Sequence, residues 1–419
     1  MTTWDVAIVG GGPAGATLAT LLARRGWEVT LLERSPAWRW RACGVFTSPA
    51  AVDVLRRLGV PDTLVATSTR PIPAMRLETS AGTRVRLTYG DHDQLVHPPV
   101  GLDRRALDEG LLEVARVAGV EVLTGVTVTA GRGMDGLGRH LPTLSFRDAS
   151  SSEDLQARLV VGADGVRSTV ARLAGVGRPA RLGRRVGLTF HVAEPGPADL
   201  VRDARMVFLD QAYCGLAPVP GNRVNVGIVL AGSRWQRRLA TAGARAVVEE
   251  ILALIPAAAD DPVSWTAAER TDPIEGVAPL GHRVARRSGG RWLLVGDAAG
   301  FLDPLTGEGL HRALVSAALA ARAVDRRLRG RVDGLSDYER AMAARFRSKD
   351  VVSWLVQQFV AHPALLERAA LSLARRSTLR ETMGLVMGDL VPATRLLDPR
   401  FLAALLVPID PGRMDGTPL

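Results

Sequence analysis

Trp4-Asp5-Val6-Ala7-Ile8-Val9 runs into Gly10-Gly11-Gly12-Pro13-Ala14-Gly15 and then into an apolar, alanine-rich stretch, and this start constrains the fold most. Residues 4–9 have the apolar run of a short buried strand. The glycine segment fits the spacing G-x-G-x-x-G. Leu18, Leu21 and Leu22 then recur with a helical period, and Gly26 closes that helix. Residues 28–33, rich in Val, Thr and Leu, read as a second strand. Strand, glycine turn, helix and strand in succession make a βαβ unit. In such a unit Gly10 permits the tight turn. Gly12 lets a pyrophosphate approach the backbone, and Gly15 lets helix and strand pack closely. The helix start after Pro13, from Ala14 onward, offers free N–H groups and a positive dipole end to phosphate, and Pro13 presets its first turn. Glu33 ends the second strand, where a carboxylate accepts from a ribose 2′-hydroxyl and repels a 2′-phosphate. A resident dinucleotide is expected and NADP is disfavoured. The segment itself leaves FAD and NAD open.

The same alternation continues. Residues 104–118 are helical, with Leu107, Leu111, Leu112 and Val114 on the apolar face, and a strand follows at 120–123. Residues 155–161 form a strand that enters Gly162-Ala163-Asp164-Gly165. From 186 to 230 the pattern changes to short strands between turns at Pro195-Gly196 and Pro220-Gly221, which predicts an inserted antiparallel sheet. A buried strand returns at 291–295, and a helix at 309–328. From Tyr338 onward the chain reads as helical, with breaks near Pro363, Pro392, Pro399 and Pro408. Residues 1–75, 98–185 and 275–330 are assigned to the dinucleotide side. Residues 76–97 and 186–274 are assigned to a substrate-binding sheet, and 331–419 to C-terminal helices.

Composition narrows the remaining classes. Of the 419 residues, 47% are apolar and 23% charged, an ordinary globular balance. Two cysteines, Cys43 and Cys214, make neither a disulfide framework nor a four-ligand zinc site, so no metal is expected. Their scarcity suits a reducing cytoplasm, the expected location. The first residues run straight into a strand, without the basic and apolar regions of a signal peptide. No uncharged apolar run reaches the roughly 18 residues of a spanning helix. The net charge of +10 comes without a zinc-finger, RNA-binding-sheet or basic heptad pattern, which argues against nucleic acid. Solvated arginine faces account for it. The alternatives are contacts with anionic lipid or an acidic carrier protein.

Two later segments carry a family resemblance. Val161-Gly162-Ala163-Asp164-Gly165-Val166-Arg167-Ser168 resembles the "DG" motif of p-hydroxybenzoate-hydroxylase-type flavoproteins. Gly296-Asp297-Ala298-Ala299-Gly300-Phe301-Leu302-Asp303-Pro304-Leu305-Thr306-Gly307-Glu308-Gly309-Leu310 resembles their "GD" motif. The order and spacing of all three motifs match across the catalytic core. Gly300 stands where the aromatic hydroxylases of this group usually carry a His. The Asp-Pro-Leu-Thr-Gly-Glu-Gly wording is similar to the geranylgeranyl-reductase-like branch, as is Ala42-Cys43-Gly44. That branch's prenyl reductases show a Tyr-x-Trp-x-Phe-Pro strand, whereas this chain has Tyr213-Cys214-Gly215-Leu216-Ala217-Pro218. The latter looks more like bacterial relatives from secondary metabolism, including hydroxylases of alkylated phenols. The resemblance implies an α/β fold, with a Rossmann-like FAD-binding domain interleaved with an antiparallel β-sheet substrate domain and followed by a helical region.

It also implies residue roles. Asp297, after Gly296, would accept a ribityl hydroxyl of FAD. The start of the helix at Gly307, Glu308, Gly309 and Leu310 would face the flavin N1/O2 edge with its N–H groups. Pro304 would shape the loop beside the ring. Asp164, Gly165 and Arg167 would tie the motif loop to the cofactor and shape the nicotinamide approach. Arg104 would lie along the flavin tail, and its fixed charge suits a pyrophosphate. Val126 would meet the adenine through its backbone. Arg34, Arg41, Cys43 and Gly44 complete the cofactor set.

Catalytic candidates are few. Cys43 fits a proton donor or flavin contact, or a small buried hydrophobe. Tyr213 fits a hydrogen bond to a substrate carbonyl or phenol, or a satisfied sheet tyrosine. Period two turns Cys214 to the opposite face. His311 fits a solvent or phosphate contact, and His97 has no role. The apolar faces at 351–360 and 401–407 fit either core or a lid or membrane-surface patch. The leading expectation is an FAD-dependent monooxygenase, transiently reduced by NAD(P)H, that hydroxylates an apolar aromatic or polyketide-derived small molecule. The alternatives are an FAD-dependent reductase or dehydrogenase acting on a C–C bond of an isoprenoid or other lipid, and a flavin-binding protein without turnover.

Overall fold

Seven ordered residues, Thr3–Val9, form the centre of an eight-stranded sheet. The computed structural model describes residues 3–42, 44–90, 98–135, 140–180, 182–196, 201–257, 264–331 and 333–407. Cys43, His97 and Pro408 lie outside the described residues. Thr3–Val9 pairs in parallel with Val29–Glu33 on one side and Ser152–Gly162 on the other. Glu121–Thr124 and Trp292–Leu294 extend the parallel run outward. Helices Pro13–Ala23 and Gly309–Leu328 pack on one face, with Ile8, Leu18, Leu31, Val161 and Ala317 in one core. The opposite face packs Val9, Leu32 and Val160 against Val128, Leu144 and Phe146. Burial on both faces explains why these strands are continuous apolar runs. The fold is Rossmann-like.

A second sheet has seven strands, in the order Glu275–Val277, Val186–Ala193, Arg223–Leu230, Ala212–Val219, Ala204–Leu209, Met75–Glu78 and Arg84–Leu87. All its pairs are antiparallel except Ala204–Leu209 with Met75–Glu78. Its outer face carries Cys214, Leu216, Val226 and Ile228, which pack under helix Ser233–Ala253. Its other face looks toward the first sheet. A small three-stranded sheet of Phe46–Thr47, Val100–Leu102 and Thr69–Pro71 joins the two units. At Gly101 a Cβ would stand 1.8 Å from the Pro218 carbonyl oxygen, so glycine alone allows this approach.

Three differences from the sequence reading have physical causes. Residues 233–253 are a helix within the segment 186–274 that was assigned to the substrate-binding sheet. Gly243, at φ 80°, interrupts that helix and breaks its apolar period. Glu275–Val277 pairs with Val186–Ala193, so the second sheet takes in residues assigned to the dinucleotide side. The last helices break at Arg376 as well as near prolines, between Pro363–Arg375 and Ser377–Met387. These helices cover the edge strand Arg84–Leu87, burying Val85 and Leu87 among Leu373, Val386 and Leu405. Among the described residues, no helix is long and apolar enough to cross a membrane.

Candidate active site

One continuous cavity of about 1210 Å³ runs between the two sheets. That exceeds the roughly 300–1,000 Å³ of ordinary small-ligand pockets. Its first end is the glycine turn. Gly10 has φ 106°, and a Cβ there would lie 2.5 Å from the Ala163 oxygen. A Cβ on Gly15 would lie 1.9 Å from the Gly10 oxygen. Turn and packing therefore require these two glycines, and Gly15 is not itself a wall of the cavity. Gly12 is different. Its φ is −71°, and a Cβ would meet nothing within 4 Å. It borders the cavity at the start of helix Pro13–Ala23, which no side chain caps. The first N–H groups of that helix lack intrahelical partners and face the space Gly12 leaves open.

Glu33 stands beside this turn, 7% exposed. It accepts from Gly11 N at 2.8 Å and Ser35 N at 3.0 Å, with Arg41 Nη2 at 3.5 Å. Burial alone would raise its carboxyl, but these N–H groups and the Arg41 charge outweigh it and hold the group below the ordinary range. Arg34 is exposed at the same end of the cavity. Val126 borders the cavity, but its N–H already donates to Glu33 O at 3.1 Å, so only its carbonyl remains for a ligand.

Arg104, Gly44, Asp164, Gly165, Arg167, Gly296, Asp297, Pro304, Gly307, Gly309 and Leu310 border the middle of the cavity. Arg104 Nη1 donates to Gly44 O at 3.0 Å, and Nε and Nη2 grip Asp108 at 3.1 and 3.0 Å. Asp164 Oδ2 accepts from Thr169 N at 2.6 Å. Among the described residues, its Oδ1 is buried with no hydrogen-bond partner. Burial pushes the Asp164 carboxyl up. Arg167 reaches across to the second unit, donating to Ala278 O at 2.6 Å. Asp297 follows strand Trp292–Leu294, and burial raises its carboxyl to about 6 against the charges of Arg312 and Arg104.

For Glu308 the expected role belongs to its backbone N–H, and its side chain is placed elsewhere. It does not border the cavity. It turns into a buried cluster, where Lys349 Nζ donates to its Oε1 at 3.0 Å. Lys349 also pairs with Asp389, which accepts from Ser48 Oγ at 2.9 Å and sits 3.1 Å from His311 Nδ1. His311 is only 2% exposed and so makes no solvent contact. The helix itself begins at Gly309.

The far end is apolar, bordered by Met206, Val229, Val277, Leu280, Phe301 and Leu305. Tyr213 lies there, and its hydroxyl donates to Asp303. Asp303 also accepts from Arg185 Nη1 at 2.8 Å and Leu305 N at 3.0 Å, and Arg185 Nη1 reaches Gln357 Oε1 at 2.5 Å. Burial and the Asp303 charge push the Tyr213 hydroxyl well above its ordinary value. Cys214 belongs to the opposite face and its thiol is raised by burial to about 12. Arg185, Asp303 and Gln357 come from three distant segments, and no local pattern marks them as one unit.

The residues present fit a long dinucleotide. An uncapped helix start faces open space at Gly12. A carboxylate stands at the end of the second strand, an orphan oxygen on Asp164, and a cavity connects them to Asp297. This is the constellation of a dinucleotide-dependent oxidoreductase. The chain belongs to the FAD binding domain family, whose model matches residues 3–352. It is 28% identical to digeranylgeranylglycerophospholipid reductase 2 of Methanothermobacter thermautotrophicus, over 80% of this chain and 82% of that protein. It is 27% identical to protoasukamycin 4-monooxygenase of Streptomyces nodosus subsp. asukaensis, over 84% of this chain and 87% of that one. A flavoprotein/dehydrogenase from Cytophaga hutchinsonii shares the fold, with a TM-score of 0.82 at 18% identity over 96% of both chains. The chain is thus an FAD-dependent oxidoreductase by family.

Proposed function

We propose that this protein is a monooxygenase, reduced by NAD(P)H, that hydroxylates an apolar aromatic or polyketide-derived small molecule. The observation that carries this reading is the apolar far end of the cavity, bordered by Met206, Val229, Leu280, Phe301 and Leu305, with the carboxylate of Glu275 at its margin. Tyr213 donates to Asp303, Asn225 Nδ2 donates to Thr189 Oγ1 at 3.1 Å, and Cys214 faces away. Reduction of a C–C double bond needs a proton donor beside the reacting carbon. Hydroxylation asks the pocket chiefly to orient the ring and exclude water.

When bound, FAD carries two electrons from NAD(P)H to oxygen, so that one oxygen atom enters the substrate and the other leaves as water. Gly12 and the helix start would hold the pyrophosphate, Glu33 the ribose, and Asp297 the ribityl chain. Met206, Leu280 and Phe301 would keep water from the ring. Arg167, bonded to Ala278 O, would hold the motif loop against the second unit.

A second reading, reduction of a C–C bond, is favoured by the similarity to a digeranylgeranylglycerophospholipid reductase and by the Asp303–Gly309 wording. Turnover under isotopically labelled dioxygen separates the two. The holoenzyme is given NADH or NADPH with alkylphenols, naphthols and prenyl alcohols. A product carrying one labelled oxygen is expected. A product that gains two hydrogens and no label, or turnover that proceeds without oxygen, overturns the monooxygenase reading.

A further inference from the structure

Gly215 and Gly227 face one another across the centre of the second sheet, paired directly between Ala212–Val219 and Arg223–Leu230. Both border the cavity. Glycine in a central strand is unfavourable, because it costs backbone entropy and gives the sheet no side chain to pack. The fold does not demand it here. Neither residue has the left-handed φ that favours glycine. A Cβ on Gly215 would come no closer than 3.4 Å to Met206 Cε. On Gly227 the nearest atom would be Asn225 Oδ1 at 3.8 Å. These are ordinary contacts, unlike the collisions at Gly10, Gly15 and Gly101.

The neighbours frame a low patch in the sheet surface. In register with the glycine pair, Thr189 lies on one side and Met206 on the other. With strands ~4.8 Å apart, that row spans roughly 14 Å. Two residues along the strands, Tyr213 and Val229 border one edge, Ala217 and Asn225 the other. The floor between them is partly accessible peptide backbone, with the flexible Met206 side chain reaching over Gly215 and Asn225 Oδ1 beside Gly227. A flat ring can approach such a floor closely where Met206 swings aside. A branched, puckered chain cannot.

We propose that Gly215 and Gly227 determine specificity by providing the surface on which a planar aromatic ring of the substrate stacks. This deepens the monooxygenase reading and rests on it for the identity of the cavity's far end as the substrate site.

The test uses holoenzyme with Gly215→Val or Gly227→Val, and two probes, 1-naphthol and farnesol. Binding is read from perturbation of the visible flavin spectrum. Val is a better strand former than Gly, so FAD content should be unchanged and the thermal midpoint unchanged or higher. Each variant should weaken 1-naphthol binding by roughly tenfold or more, since overpacking a filled site costs about 1–3 kcal/mol. Farnesol binding should shift by less than about threefold, under ~1 kcal/mol. Unchanged 1-naphthol affinity in both variants overturns the proposal, as does a parent protein that binds farnesol and not 1-naphthol. If the parent binds 1-naphthol and the variants lose it, while labelled oxygen never enters any product, the glycine floor stands and the monooxygenase reading falls.

Discussion

Burial raises the Asp297 carboxyl from 3.8 to about 6, although Arg312 and Arg104 pull the other way. Between those values the folded chain holds a proton that the unfolded chain has released. The folded state therefore binds more protons in that window, and stability falls as pH rises through it. The cost is complete above about pH 6 and amounts to at most ~3 kcal/mol. Asp297→Asn in the FAD-free protein should then match the parent near pH 4 and exceed it by up to ~3 kcal/mol near pH 7.5. Urea unfolding at both pH values measures this, and a difference that stays constant would mean the carboxyl ionises as in water. Glu33 is the contrast. Burial works against its charge too, yet two N–H donors and Arg41 reverse the balance. The glycine turn and Glu33 were legible in the sequence because their partners are local or one strand away. The environment of Glu308 was not, because its partner Lys349 lies 41 residues on and the motif wording says nothing about which way the side chain turns.

Helix Gly309–Leu328 meets helix Gly334–Ala361 and the end of Ser377–Met387 through charges rather than apolar contact alone. Lys349 bonds Glu308, pairs with Asp389, and donates to Val386 O at 3.2 Å, all out of water. Removing one partner from such a cluster leaves charge buried and uncompensated, at a cost of about 3–5 kcal/mol. Lys349→Met should therefore loosen the C-terminal helices first. Amide hydrogen exchange should accelerate in Ser377–Met387 and Gly334–Ala361 well before it does in Thr3–Val9. Equal acceleration everywhere would show that these helices unfold only with the whole molecule. At this scale legibility followed period and length. Helix Gly309–Leu328 has an unbroken Ala/Leu face and was read from it. Helix Ser233–Ala253 has Trp235 on one side of the Gly243 interruption and Val247, Val248 and Ile251 on the other, so its two halves never present one continuous stripe.

Neither unit encloses the cavity alone: Gly12 and Asp297 come from the first sheet and its turns, Gly215 and Leu280 from the second sheet and its margin. The alternation of the two units along the chain was legible, because the three motifs fall in order and the strand pattern changes between them. Their border was not, because Glu275–Val277 is three residues long and carries no turn signal of its own. This shared wall makes a prediction about the cofactor. A ligand that binds only the folded chain adds about 2.7 kcal/mol of stability at a hundredfold excess over its Kd. If FAD reaches from the glycine turn past Asp297 to the margin of the substrate end, where the second sheet begins, that gain must reach both sheets. Adding FAD to the apo-protein should slow amide exchange in Thr3–Val9 and Val29–Glu33, and also in Val186–Ala193 and Ala212–Val219. Protection confined to the first pair would place the nucleotide at the glycine turn alone. The second sheet would then be a separate unit that FAD does not stabilise.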